Sequence, residues 1–234
     1  MERTRMRRLA IIGAGGHGKV IADIARKNGY REIIFLDDNE DVHQCGGYPV
    51  VGKSSAAEDI DADVIVAVGD TNIRKQIMES ISEDKLVTLI HPDATVAEDV
   101  TVGRGTVVMA GAVINPGAVI GAGCIINTCS SVDHDCNVGD YVHIAVGSHL
   151  CGTVTVGRET LIGVGATVIN NIHITSNCII GAGAVVINNI TEKGVYVGVP
   201  TRKIAANRQN GGVQTSNIGC SASNVWLSGY RRTA

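Results

Sequence analysis

The chain has 234 residues, long enough for one or two domains, and carries 29 glycines against one Phe, one Trp and five Tyr. A core so poor in aromatics has to be filled by small and aliphatic side chains in a regular lattice, which points to a repeat architecture. A formal net charge of −3 offers no global field for nucleic acid, and no stretch approaches the roughly 20 apolar residues that span a bilayer.

In chain order, the arginines of residues 1–8 precede an apolar run at Leu9–Ala14. That run is too short for a signal-peptide core, and His17 and Lys19 follow at once. Seven cysteines without a CxxC pair read as small buried thiols in a reducing compartment rather than disulfides or zinc ligands. A cytoplasmic protein is expected, without membrane insertion and without a nucleic-acid partner.

Leu9–Ile12 reads as a buried strand running into Gly13-Ala14-Gly15-Gly16-His17-Gly18. Val20, Ile21, Ile24 and Ala25 follow at helical spacing, with a stop signal at Asn28-Gly29. Next come a strand at Ile33–Leu36 closed by Asp37-Asp38, a buried run Val64–Val68 ending at Gly69, a helix over Asn72–Ile81 and a strand at Leu86–Ile90. The pattern predicts an α/β Rossmann-like domain over residues 1–88. A glycine turn opening a helix exposes backbone N–H groups to a phosphate, and an acid some 20 residues later can hold a hydroxyl. The same glycines would also serve merely to pack strand on helix. The unit is only half a dinucleotide fold, which favours a mononucleotide over NAD and argues against a dehydrogenase.

From Ile90 an aliphatic residue recurs every six positions, through Val96, Val102, Val108, Ile114, Ile120 and Ile126 to Val186, without a miss. Four residues after each lies a small or β-branched one, as at Ala112, Ala118, Cys124, Ser130 and Cys136. No α-helix has this period; it is the hexapeptide signature of a parallel β-helix, expected over residues 89–204 in five to six coils of three hexads. Gly103, Gly121, Gly139, Gly157, Gly163 and Gly181 are expected at corners that need a permissive backbone. Thr191–Pro200 reads as a loop, and residues 205–234, without acids or period, as a disordered or peripheral tail.

Departures from the repeat carry the chemistry. Asp133-His134-Asp135 sets an imidazole between two carboxylates, where a neighbour can fix its tautomer and raise its basicity for proton abstraction; a solvated surface histidine fits the spacing equally well. His143, His149 and His173 each precede an inward aliphatic and are expected to point outward on different faces, which disfavours a shared zinc site. No Cys or Ser is placed by spacing for covalent relay.

Taken together, Gly13–Gly18, Leu36-Asp37-Asp38, Val68-Gly69, Ile73-Arg74-Lys75, Asn127-Thr128, Asp133–Cys136, His143 and Gly198-Val199-Pro200 resemble the sugar O/N-acetyltransferases of the sialic-acid, bacillosamine and perosamine type, over about residues 8–204. The resemblance implies a left-handed β-helix, a homotrimer, and two ligands meeting near a subunit boundary; from the spread of the histidines no metal is expected. It implies a nucleotide-linked 4-amino sugar, UDP-linked by preference, at Gly15, Gly16, His17, Asp37, Asp38 and Gly69. Asn127 would lie near the acceptor amine, and acetyl-CoA would run along His143, Val164 and Ala182. His134 falls on the family's catalytic histidine, with Asp135 where relatives often carry Glu. O-acetylation of a sugar hydroxyl is the nearest rival, and a non-catalytic binding solenoid is the rival of another class.

Overall fold

The computed structural model describes residues 7–204; the expectations for the basic start and the C-terminal tail lie outside the described residues. The first part is a five-stranded sheet in the order β3-β4-β2-β1-β5. Its strands are β1 (Arg8–Ile12), β2 (Glu32–Leu36), β3 (Gln44–Cys45), β4 (Tyr48–Gly52) and β5 (Asp63–Val66). Strands β1, β2 and β5 run parallel and read as largely apolar runs because both faces are covered. Helix α1 (Gly16–Lys27) turns Ile21, Ala22, Ile24 and Ala25 inward and ends on two basic residues, with Gly29 at φ +87° beyond its C-cap, Asn28. Helix α2 (Thr71–Glu79) starts at Asp70, whose carboxylate accepts from Ile73 N–H at 3.0 Å. It stops two residues short of the expected Ile81, at the Ser80 C-cap.

The strand expected over Leu86–Ile90 divides between two sheets. Leu86 makes a single parallel bridge to Val64, whereas Leu89–Ile90 pairs with Val107–Val108 and is the first rung of the second part. Leu89, Val107, Met109 and Ile125 share one apolar cluster with Leu9, Ile11 and Ile21, so the two parts are joined through a common core.

The second part is a parallel β-helix with three faces. Face 1 stacks the strands from Leu89–Ile90 through Ile125–Ile126 and His143–Ile144; face 2 those from Thr95–Val96 through Ser131–Val132 and His149–Leu150; face 3 those from Thr101–Val102 through Asn137–Val138 and His173–Ile174. Each residue pairs with the one 18 positions on, as in Ile114 with Val132 and Ile126 with Ile144. The every-sixth aliphatic side chains fill the prism, and burial of each contributes roughly 1.5–3 kcal/mol before entropy is counted. Cys124, Cys136 and Cys178 occupy the small slot, where burial pushes their thiols up, that of Cys124 to about 12, so they pack as inert hydrophobes.

The singled-out glycines are needed for a different reason from the one their corner position suggests. At Gly121 a Cβ would sit 2.6 Å from the Asp140 nitrogen of the next coil, and Gly103, Gly139, Gly157 and Gly163 are equally close to backbone above them. The left-handed corner lies two residues further on, held by Gly105 or Gly123 in some coils and by Asp135, Tyr141, Thr153 or Asn171 in others.

The loop expected at Thr191–Pro200 is in part a strand. Gly194–Val197 pairs parallel with Cys178–Ile180 and antiparallel with Arg202–Ile204, closing the end of face 1. An open last rung would present unpaired backbone, and this hairpin covers it.

Candidate functional site

The glycine loop between β1 and α1 separates into two kinds of position. Gly13, at φ +106°, is pressed against the Ala67 carbonyl, and Gly18 against the Gly13 carbonyl and the Phe35 ring. Gly15 and Gly16 face open space. The first pair lets strand and helix close up; the second leaves the N-terminal N–H groups of α1 accessible, with no side-chain cap and no acid in the first turn. Gly69, in the turn after β5, is likewise exposed and open.

Asp37 and Asp38 are committed locally. Asp37 accepts from Ala14 N–H at 2.7 Å and Asn39 N–H at 2.9 Å, so it ties β2 to the glycine loop. Asp38 accepts from the Ser54 hydroxyl and N–H. Both remain at the carboxyl end of the sheet, where ligands of open α/β folds bind.

His17 does not point away from the domain. Its ring is half-buried between the two parts, with Nε2 enclosed and without a partner. Burial, and then the Arg74 charge, push its pKa down to about 4. His143 on face 1 precedes inward Ile144 and points out of the prism as expected, and there the N-terminal domain covers it. Burial, then Arg74 and His17, lower its pKa to about 3. Asn127 orients the ring: its Oδ1 accepts from Thr128 N–H at 2.8 Å, which turns its Nδ2 to donate to His143 Nε2 at 3.1 Å. The proton of neutral His143 is therefore on Nδ1. His17, Asn127, His143 and Arg74 form one interdomain cluster, and Arg74 is the member whose part in it spacing had not revealed.

His134 lies elsewhere, on the corner between faces 2 and 3. Asp135, at φ 56°, swings its carboxylate back so that Oδ2 meets His134 Nδ1 at 2.8 Å. That hydrogen bond raises the imidazole's pKa, with the Asp133 and Asp135 charges assisting. Asp133 accepts from Asn115 at 2.7 Å and from His134 N–H at 2.8 Å, fixing the backbone of the turn. The ring lies across Gly152 of the next coil, where any Cβ would collide with it, and its side chain is 57% exposed, with no hydrogen bond to Nε2 among the described residues. The shorter Asp in place of Glu thus reaches the imidazole directly.

On the corner between faces 1 and 2, Val164 and Ala182 are exposed and stacked 18 residues apart, with Val146 completing the column. The adjoining Gly147, Gly165 and Gly183 have nothing above them, leaving a smooth ridge that begins three residues beyond His143. Val146 was missed because it is an ordinary hexad residue; only the stacking marks it. His149 and His173 stand on faces 2 and 3, apart from His143. Ser131 Oγ lies 2.8 Å from His149 Nδ1, but among the described residues no carboxylate orients that ring, so the pair lacks the third member of a covalent relay. Among the described residues no group of His, Cys, Asp or Glu could hold a metal, and no described helix is long and apolar enough to cross a membrane.

Comparison with known proteins agrees with this architecture. Residues 8–81 match the family described as the PglD N-terminal domain. A Bacillus subtilis UDP-N-acetylbacillosamine N-acetyltransferase is 38% identical over 101 residues, covering 40% of this chain; the match spans about half that relative's length, 47%. The acetyltransferase domain of PglB from Neisseria gonorrhoeae, solved with acetyl coenzyme A, is 41% identical with a TM-score of 0.81, covering 85% of this chain and 99% of that one. PerB from Caulobacter crescentus, solved with CoA and GDP-perosamine, is 36% identical with a TM-score of 0.79, covering 85% and 97%. The chain belongs to the family of acetyltransferases that join a PglD N-terminal domain to a left-handed parallel β-helix.

Proposed function

We propose that the protein transfers the acetyl group of acetyl-CoA to the 4-amine of a nucleotide-linked 4-amino-4,6-dideoxy sugar. A UDP-sugar is favoured because the UDP-N-acetylbacillosamine N-acetyltransferase is 38% identical over its matched stretch, against 28% for a GDP-perosamine N-acetyltransferase of Escherichia coli O157:H7. The nucleotide sugar lies over Gly15, Gly16 and Gly69, with Asp37 and Asp38 shaping the rim and His17 and Asn127 beneath the amine. Acetyl-CoA follows the ridge of Val146, Val164 and Ala182 beside His143.

The observation that carries the reaction is the His134–Asp135 pair. With Nδ1 engaged at 2.8 Å, Nε2 is the atom that accepts a proton. The sugar nitrogen attacks the thioester carbonyl carbon, His134 takes the nitrogen's proton, the C–S bond breaks, and the proton returns to the leaving thiolate. Transfer is direct, without an acyl-enzyme. The same chain cannot easily bring His134 to its own nucleotide site, because the N-terminal domain covers face 1 and His134 stands on the corner away from it. The site is therefore completed by a second copy, consistent with a homotrimer.

His134→Ala tests the assignment. Acetyl transfer to UDP- and GDP-linked 4-amino sugars should fall by about 10²–10⁴ with the fold intact. A fall of less than about tenfold would remove the general base.

A further inference from the structure

Arg74 is the largest fully buried side chain among the described residues, at 0% exposure. Among the described residues no carboxylate bonds it. Its guanidinium instead donates to four backbone carbonyls: Nε to Gly123 at 2.8 Å, Nη2 to Tyr141 at 2.9 Å, and Nη1 to Val68 at 3.0 Å and Gly69 at 2.9 Å. The first two carbonyls belong to successive coils of the β-helix; the last two form the turn after β5 in the N-terminal domain.

A buried cation with no carboxylate bonded to it, only the more distant charge of Asp70, is costly, and an apolar side chain of similar volume often does as well where only packing is required. Met78, on the same helix, already packs against Gly105 and Gly123. What a hydrophobe cannot supply is direction. The planar guanidinium has donors in a rigid fork, and here each arm fixes a carbonyl in place. We infer that Arg74 is a positioning residue that holds the Val68–Gly69 turn, and with it the nucleotide-sugar half of the site, in register with the coils that carry Asn127 and His143. This rests on the proposed placement of the nucleotide sugar at Gly69. Lys75, bound to Glu159 at 2.7 Å, docks the same helix without touching the turn and provides the control.

The test compares Arg74→Lys and Arg74→Gln with Lys75→Met in the full-length protein, varying acetyl-CoA and the nucleotide sugar separately. A lysine keeps the charge but cannot serve four carbonyls. The Arg74 variants should raise KM for the nucleotide sugar by about tenfold or more and leave KM for acetyl-CoA within about twofold. Lys75→Met should change neither by more than about twofold. Parallel rises in both KM values, an unchanged sugar KM, equal effects at Lys75, or failure of both Arg74 variants to fold would overturn the inference. Calorimetric binding of UDP- and GDP-linked 4-amino sugars, without acetyl-CoA, separates it from the proposed reaction. Affinity lost with Arg74 in a protein that proves not to transfer acetyl would keep the turn-holding role and reject the reaction.

Discussion

The histidines around the two proposed ligands are tuned in opposite directions by their surroundings. Asp135 raises His134, while burial and Arg74 lower His17 and His143. Only a neutral imidazole accepts a proton, so the acid limb of kcat/KM should follow the raised His134 pKa. Asp135→Asn should move that limb to lower pH while depressing the plateau; a limb that stays put in the pH profile would refute the pairing. Gly152→Ala should push the His134 ring off its place and cut kcat by about tenfold or more, with acetyl-CoA KM little changed, measured by steady-state kinetics. The lowered pair has a stability consequence. Their unfolded forms take up protons below about pH 6.5 while the folded forms stay neutral down to about 4 and 3, so folding stability falls as pH drops through that window. Between pH 8 and pH 5 the loss should be on the order of 1–2 kcal/mol per histidine in denaturant titrations. His143→Gln, which keeps an acceptor for Asn127, should remove its share.

At the scale of elements, the two uses of glycine in the β-helix separate experimentally. Gly121→Ala drives a methyl into the next coil and should cost about 1–3 kcal/mol or more. Gly165→Ala meets open space and pays only for a left-handed backbone at φ 66°, about 1 kcal/mol. Equal losses in thermal unfolding would mean that coil spacing does not depend on the bare Cα. The hexad period was readable because each inward Ile or Val obeys one local rule at every rung. The ends were not: Leu86–Ile90 splits between two sheets, and Gly194–Val197 pairs as a strand, because both are decided by which neighbour offers unpaired backbone. The catalytic-type pair was legible only as two adjacent residues. Its geometry depends on Asp135 taking the left-handed corner, which spacing does not announce.

For the whole molecule, a site shared between copies predicts complementation. His134→Ala and His17→Ala chains, each weakly active alone, should recover roughly a quarter of wild-type activity when co-assembled, because some boundaries then unite an intact His134 with an intact N-terminal domain. Co-purified mixtures that stay at the level of the parents would place the whole site within one chain. The sequence by itself determined the two-part architecture, since strand, helix and hexad periods are local statements about which side chains are buried. It also marked the glycine loop and the His-Asp pair as departures from those periods. Only the tertiary structure decided that His143 is buried where the charges of Arg74 and His17 act on it, that His134 stands on another corner, and that Arg74 binds both parts together. Those relations depend on how α2 packs over coils more than 40 residues away in the chain, and no local periodicity encodes a contact at that separation.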